Sequence, residues 1–202
     1  YSRRDYDRPA RDAKSGMLPP KLALAMINMA VGQNHGLTIL DPFCGSGTVL
    51  QEALLLGHNV IGTDIEERAI INSKMNLEWL EGTRPSSSAG GRGAFVQNAW
   101  RVEQADARQI NKILSSQSID AIITEFDLGP PLQGGESISK INSIVTSLSD
   151  FYIDALRALR PILKDNGQAV LAWPHWREQN IFISGLAKLR GLGWELIEPY
   201  PA

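Results

Sequence analysis

Cysteine is nearly absent: Cys44 is the only one among 202 residues. A disulfide framework and a multi-cysteine zinc site are thereby excluded, no metal is expected, and a lone thiol suits a reducing compartment, taken here as the cytoplasm. Long apolar runs are missing too. Nothing approaches the ~18 residues of a membrane span and no signal peptide opens the chain, so no membrane partner is expected. Nor is there an excess of one charge: 20 Lys and Arg stand against 22 Asp and Glu, a formal net charge of −2. That balance argues against a strongly basic nucleic-acid binder and leaves room for a local basic patch. What remains, 43% hydrophobic residues in a chain of this length, is the composition of one globular domain with a single core.

Residues 1–20 are polar and irregular, with Arg3, Arg4, Arg8, Arg11 and Lys14 set against Asp5, Asp7 and Asp12. They read as a solvated leader whose arginines suit phosphate contact. The chain begins at Tyr1 rather than Met and ends at Pro201-Ala202 straight after an apolar run. It is therefore expected to be a piece of a longer protein, with the leader over 1–20 and a domain over 21–202 that is shortened at its carboxyl end.

Pro19-Pro20 suits the opening of a helix, and apolar spacing extends that helix from Lys21 to Ala30, where Gly32 and Gly36 stop it. Strand and helix then alternate. Strands are expected at Leu37–Asp41, Asn59–Thr63, Ala99–Gln104, Ile119–Thr124, Gly167–Trp173 and Trp194–Ile197. Helices are expected near Thr48–Leu56, Glu66–Glu81, Ala107–Leu114, Ile141–Leu163 and Asn180–Leu189. Two loops stand out, the Pro/Ser/Gly-rich Thr83–Gly93 and the Gly/Pro-rich Phe126–Glu136. This alternation predicts an α/β fold, a mostly parallel sheet with helices on both faces, whose ligands bind beyond the carboxyl ends of the strands.

The sharpest feature lies at such an end: Leu40-Asp41-Pro42-Phe43-Cys44-Gly45-Ser46-Gly47-Thr48, between the first strand and a helix. Glycines there admit a ligand close to the backbone, and the helix start offers N–H groups to an anion. A phosphate-binding P-loop would need Lys-Ser/Thr after its last glycine, where Thr48-Val49 stands. A dinucleotide fingerprint would need Gly or Ala where Leu50 stands. Both mismatches weaken those readings, and a third competes with them, a turn for S-adenosylmethionine (SAM).

The run Asp41–Thr48 resembles motif I of the class I SAM-dependent methyltransferases, of Rossmann-like fold, that modify amino groups of nucleobases. The resemblance implies that Asp41, Phe43, Cys44, Gly45, Ser46 and Gly47 bind SAM. It also implies that Asp64, with Ile65, holds the ribose hydroxyls and that Asp106, with Ala107, accepts from the adenine amino group. Acceptor-only carboxylates suit both partners. Where the family carries Asp/Asn-Pro-Pro-Tyr/Phe after its fourth strand, this chain has Glu125-Phe126-Asp127-Leu128, and Pro130-Pro131 comes later. Glu125 takes the acid position and is assigned to catalysis and to the cofactor rim. Phe126 is a candidate for base stacking, with a core aromatic as the alternative. Asp127 is a catalytic candidate, with a turn former as the alternative.

Motif I precedes the fourth-strand motif, and Met17-Leu18-Pro19-Pro20 precedes both. That order resembles the THUMP-associated tRNA guanine-N2 methyltransferases, and it implies that Met17 and Pro19 flank the methionine end of the cofactor. The expected activity is methyl transfer from SAM to an exocyclic base amine in RNA, guanine N2 in tRNA. An upstream RNA-binding domain is the expected partner. Two alternatives stay open: DNA adenine or cytosine amino-methylation, and a SAM- or nucleic-acid-binding module with degenerate catalysis.

Overall fold

The computed structural model describes residues 3–11, 17–83, 99–132, 134–174 and 188–197. Its centre is a five-stranded parallel sheet in the order β3-β2-β1-β4-β5. The strands are β1 (Thr38–Asp41), β2 (Asn59–Asp64), β3 (Trp100–Gln104), β4 (Ile119–Glu125) and β5 (Leu163–Ala172). Among the described residues four α-helices accompany them: α1 (Pro20–Val31), α2 (Thr48–Leu55), α3 (Glu67–Thr83) and α4 (Ile138–Leu159). A 3-10 turn spans Ala107–Lys112.

Side-chain alternation along the strands feeds two cores. Ile39 of β1 and Ile123 of β4 join Met26 and Ile27 of α1, Leu50 of α2 and Leu77 of α3 on one face. Leu40 and Ile122, one residue away, join Ile110, Tyr152, Leu156 and Leu159 on the other. The chain runs from β1 outward to β3, then returns to place β4 on the other side of β1. The reversal between β1 and β4 opens a crevice at their carboxyl ends.

Several expected boundaries move. α4 starts at Ile138 rather than Ile141 because the Ser137 hydroxyl caps it, accepting from Lys140 N–H. The helix ends at Leu159 rather than Leu163, and the stretch between them leads into β5. β5 therefore begins before Gly167, with a register shift against β4 between Ile119 and Ala121. The expected sixth strand does not form: Trp194–Ile197 is irregular. There Trp194 Nε1 donates to the Leu156 carbonyl, docking this segment on α4. The helix expected at Asn180–Leu189 and the loop Thr83–Gly93 lie almost wholly outside the described residues. Among those residues no helix is long and apolar enough to cross a membrane.

The leader is not simply solvated charge. Arg3–Asp7 forms a wide helical turn, and Arg4 pairs with Glu52 of α2, with its Nη2 3.0 Å from Oε2. Arg8 is buried and donates to the Thr48 hydroxyl at 2.8 Å. Asn76 of α3, wholly buried, donates to the carbonyls of Ala10 (2.9 Å) and Ser46 (2.8 Å) and accepts from Ala10 N–H. One amide thus binds the leader to the glycine turn.

Removing that amide leaves several buried polar groups unpaired, at ~1–3 kcal/mol each when no water replaces it. Asn76→Ala is expected to lower unfolding free energy in urea by roughly 2–4 kcal/mol and to speed proteolysis within residues 3–11. Unchanged proteolysis there would show that the leader is held elsewhere.

Candidate active site

A cavity of about 1040 Å³ opens at the carboxyl ends of β1 to β4. Its lining includes Asp41 from the end of β1, Asp64 from β2, Asp106 after β3 and Glu125 from β4, with Phe43–Ser46 between. The volume is ample for a small-molecule ligand larger than a nucleoside.

Asp41 is 3% exposed. Its Oδ1 accepts from the Thr124 hydroxyl at 2.6 Å and from Phe43 N–H at 3.2 Å. Burial outweighs these bonds and pushes its pKa up to about 7. Gly45 has φ +51° and open space where a Cβ would stand, so its backbone faces the cavity bare, in a conformation that favours glycine. Gly45 N–H donates to Asp64 Oδ2 at 2.9 Å, and Asp64 Oδ1 accepts from Glu66 N–H at 3.0 Å. Each carboxylate oxygen keeps a lone pair for a ligand. Ser73 of α3 donates to the Gly45 carbonyl at 2.8 Å. The turn is therefore fastened from behind by α3 and β2, leaving its front clear.

Asp106 is more committed. It accepts from Arg108 N–H, Nε and Nη2, and these bonds hold its pKa below the usual carboxylate range. The Arg108 guanidinium also lies 5.6 Å from the centre of the Phe151 ring. A ligand amine reaching Asp106 shares it with Arg108. Glu125 is half-buried, and burial raises its pKa. Its carboxylate has no protein partner among the described residues, unlike that of Asp127, whose Oδ1 accepts from Gly129 N–H at 2.9 Å.

Most of the residues expected at the site line this cavity: Met17, Asp41, Phe43, Cys44, Gly45, Ser46, Asp64, Ile65, Asp106, Ala107, Glu125, Phe126 and Asp127. Four expectations are revised. Pro19 is exposed and caps α1 instead of lining the cavity. Gly47, at φ +81°, caps α2, and a Cβ there would stand 2.9 Å from Ser73 Oγ, so it serves the close approach of α3. Phe126 is 1% exposed and packed among Phe43, Tyr152 and Trp173. It is the core aromatic, and the more open rings of Phe43 and Phe151 line the cavity. Asp127 is a turn former whose carbonyl also accepts from the Tyr152 hydroxyl. The roles of Arg8, Ser73 and Asn76 escaped sequence reading, although two polar residues at i and i+3 on the apolar face of α3 were a usable signal.

Residues 8–188 match the RMKL-like methyltransferase domain. The chain belongs to that family. It is 31% identical over 177 residues to a tRNA (guanine(10)-N2)-dimethyltransferase of Methanocaldococcus jannaschii, covering 86% of this chain and 42% of that protein. A protein of the same name from Methanothermobacter thermautotrophicus is also 31% identical, over 176 residues, covering 87% of this chain and 44% of its own. This chain thus spans under half the length of these relatives. Among solved structures, a precorrin-6y C5,15-methyltransferase of Geobacter metallireducens superposes with a TM-score of 0.58 at 15% identity. It covers 95% of this chain and 80% of its own. That likeness supports the Rossmann-like fold alone.

The buried acid has a measurable signature. Between the ordinary carboxylate value of 3.8 and about 7 the native state holds a proton on Asp41 that the unfolded chain has lost. Stability from this group therefore falls as pH rises through that window and is flat above it. Asp41→Asn keeps an acceptor for Thr124 and Phe43 and carries no charge. It is expected to be more stable than the unaltered protein at pH 8 and to lose the slope between pH 5 and 7.5 in urea unfolding. An identical slope in both proteins would mean that Asp41 ionises normally.

Proposed function

We propose that this domain transfers a methyl group from SAM to an exocyclic amino group of an RNA base, guanine N2 in tRNA, with an upstream RNA-binding region gripping the tRNA. The observation that carries the reading is the convergence of Asp41, Asp64 and Glu125 with the bare Gly45 backbone on one cavity. The tRNA-modifying relatives supply the substrate class.

The residues fit the cofactor. Asp41 suits an ammonium, the two spare lone pairs of Asp64 suit ribose hydroxyls, and Asp106 with Ile65 and Ala107 suits an adenine ring once Arg108 shares its carboxylate. Bound there, SAM supplies an electrophilic methyl group on a sulfonium. The protein's task is then to hold the acceptor in line. Glu125 accepts an N–H of the base amine. This turns the nitrogen lone pair toward the methyl group and offsets the positive charge that develops on that nitrogen. The half-buried position of Glu125 strengthens this interaction, because the local dielectric is low. Phe43 and Phe151 border the space beside it. The target base must be unpaired or flipped to reach that depth.

Calorimetry with SAM and tritiated-methyl transfer to tRNA and to DNA, using the protein with its upstream region, test the reading. Transfer to tRNA is expected. Transfer only to DNA would favour the DNA amino-methyltransferase alternative, and SAM binding without any transfer would favour a degenerate module.

Two variants separate the roles. Asp64→Ala removes an acceptor and frees the Gly45 turn, so the Kd for SAM is expected to rise at least about tenfold. Glu125→Ala is expected to lower kcat by about 10²–10³ with the Kd for SAM nearly unchanged. Equal losses of affinity in both would contradict this division.

A further inference from the structure

Glu125 has to be aimed by its backbone. Its carboxylate has no protein partner among the described residues, so its direction follows from the course of the chain at the end of β4. On one side that course is fixed by the ladder: Glu125 pairs with Ala172 of β5, and Phe126 N–H donates to the Ala172 carbonyl at 2.9 Å. On the other side the ladder stops. Phe126 and Asp127 lack the ring with which a proline fixes its own backbone angle. The run that follows, from Leu128 to Leu132, borders the cavity, and Leu128 is 45% exposed. Something other than local stiffness must hold this stretch.

Helix α4 does so from behind. Tyr152 is 1% exposed and grips the stretch twice. Its ring packs on that of Phe126 at a centroid distance of 4.4 Å, and its hydroxyl donates to the Asp127 carbonyl. Burial, with the Asp127 carboxylate nearby, raises the Tyr152 pKa, so the phenol stays a donor at any working pH. Earlier on the same helix face, Leu148 and Ile144 approach Gly129 so closely that a Cβ there would stand 3.1 and 3.3 Å from their side chains. Asp127 Oδ1 links the two holds by accepting from Gly129 N–H. Packing alone would be met by a phenylalanine at position 152. The hydroxyl adds a bond to one particular carbonyl, two residues past Glu125.

We infer that Tyr152, backed by Leu148, is a positioning residue for the methyl acceptor: it fixes the backbone from Phe126 to Gly129 and thereby the direction in which Glu125 meets the base amine. Neither Tyr152 nor Leu148 lines the cavity, so both act through the loop. The inference rests on the methyl-transfer reading above and deepens it, because a displaced Glu125 holds the amine out of line with the methyl group.

The test uses the protein with its upstream region, tritiated-methyl transfer from SAM to tRNA, and calorimetry with S-adenosylhomocysteine. Tyr152→Phe keeps the ring and deletes the bond. It is expected to lower kcat about tenfold, with KM for tRNA and Kd for S-adenosylhomocysteine each within about twofold of the unaltered protein. Leu148→Ala is expected to lower kcat about threefold with the same two constants preserved, and it carries the test if Tyr152→Phe does not fold. Leu156→Val, one turn beyond Tyr152 in the same core, is the stability control. Its melting temperature is expected to fall while kcat stays within about twofold. Unchanged kcat in the folded variant, or kcat lost in step with S-adenosylhomocysteine affinity, overturns the positioning role. An equal fall of kcat in Leu156→Val overturns it too, since turnover would then follow stability alone. If the unaltered protein methylates no RNA, the methyl-transfer reading fails and the role of Tyr152 falls with it.

Discussion

Parallel pairing is the constraint on which the rest of this molecule depends. In a parallel sheet every strand delivers its carboxyl end to the same edge, so residues far apart in the chain meet there without any contact between their own segments. β1 pairs with β2 from Thr38↔Asn59 to Asp41↔Gly62, and β2 pairs with β3 as far as Asp64↔Gln104. β4 closes against the other side of β1 through Ile39↔Ala121 and Leu40↔Ile122. Those registers set Asp41, Asp64, Asp106 and Glu125 around one crevice. A slip of one residue in β1 would exchange the faces of Ile39 and Leu40 and carry Asp41 away from the cavity.

The glycine turn shows how such an edge is kept open. Its polar groups facing the protein are satisfied by neighbours behind it: Gly45 N–H by Asp64, the Gly45 carbonyl by Ser73 and the Ser46 carbonyl by Asn76. Because those bonds come from β2 and α3, the opposite side of the turn is free for a ligand. The leader joins the same scaffold, bound by Asn76, by Arg4 on Glu52 and by Arg8 on Thr48. A segment that lies before the first helix thereby reaches α2 and the rim of the cavity.

Desolvation divides the acids of the site into different jobs. Asp41, the most buried, is pushed toward neutrality and becomes fully anionic only when a cation or a rise in pH favours it. Asp106, more exposed and clasped by Arg108, is held firmly ionised. Glu125 stands between them, raised by burial and without a partner for its carboxylate among the described residues. Three carboxylates of similar intrinsic acidity thus acquire distinct properties from burial and neighbours alone.

Much of the architecture was readable from local pattern. Strands buried on both faces appear as short apolar runs, the turns after them carry glycine or acid, and so β1 to β5, α1 to α3 and the glycine turn fall near their expected places. The motif also pointed to the acids that line the cavity, because each stands at or just after a strand end. Three-dimensional packing decided what local pattern does not encode. Trp194–Ile197 has strand composition, yet it pairs with no strand among the described residues and docks Trp194 on α4 instead. Phe126 sits in a motif position, yet its ring fills the gap between Phe43, Tyr152 and Trp173 because that volume must be closed by something apolar. Arg8 looked like one more solvated charge until the fold folded Thr48 and Met17 over it. Periodicity and turn chemistry act between near neighbours and are written in the sequence, whereas burial, pairing partners and the fate of each charge depend on which distant segments arrive at the same place.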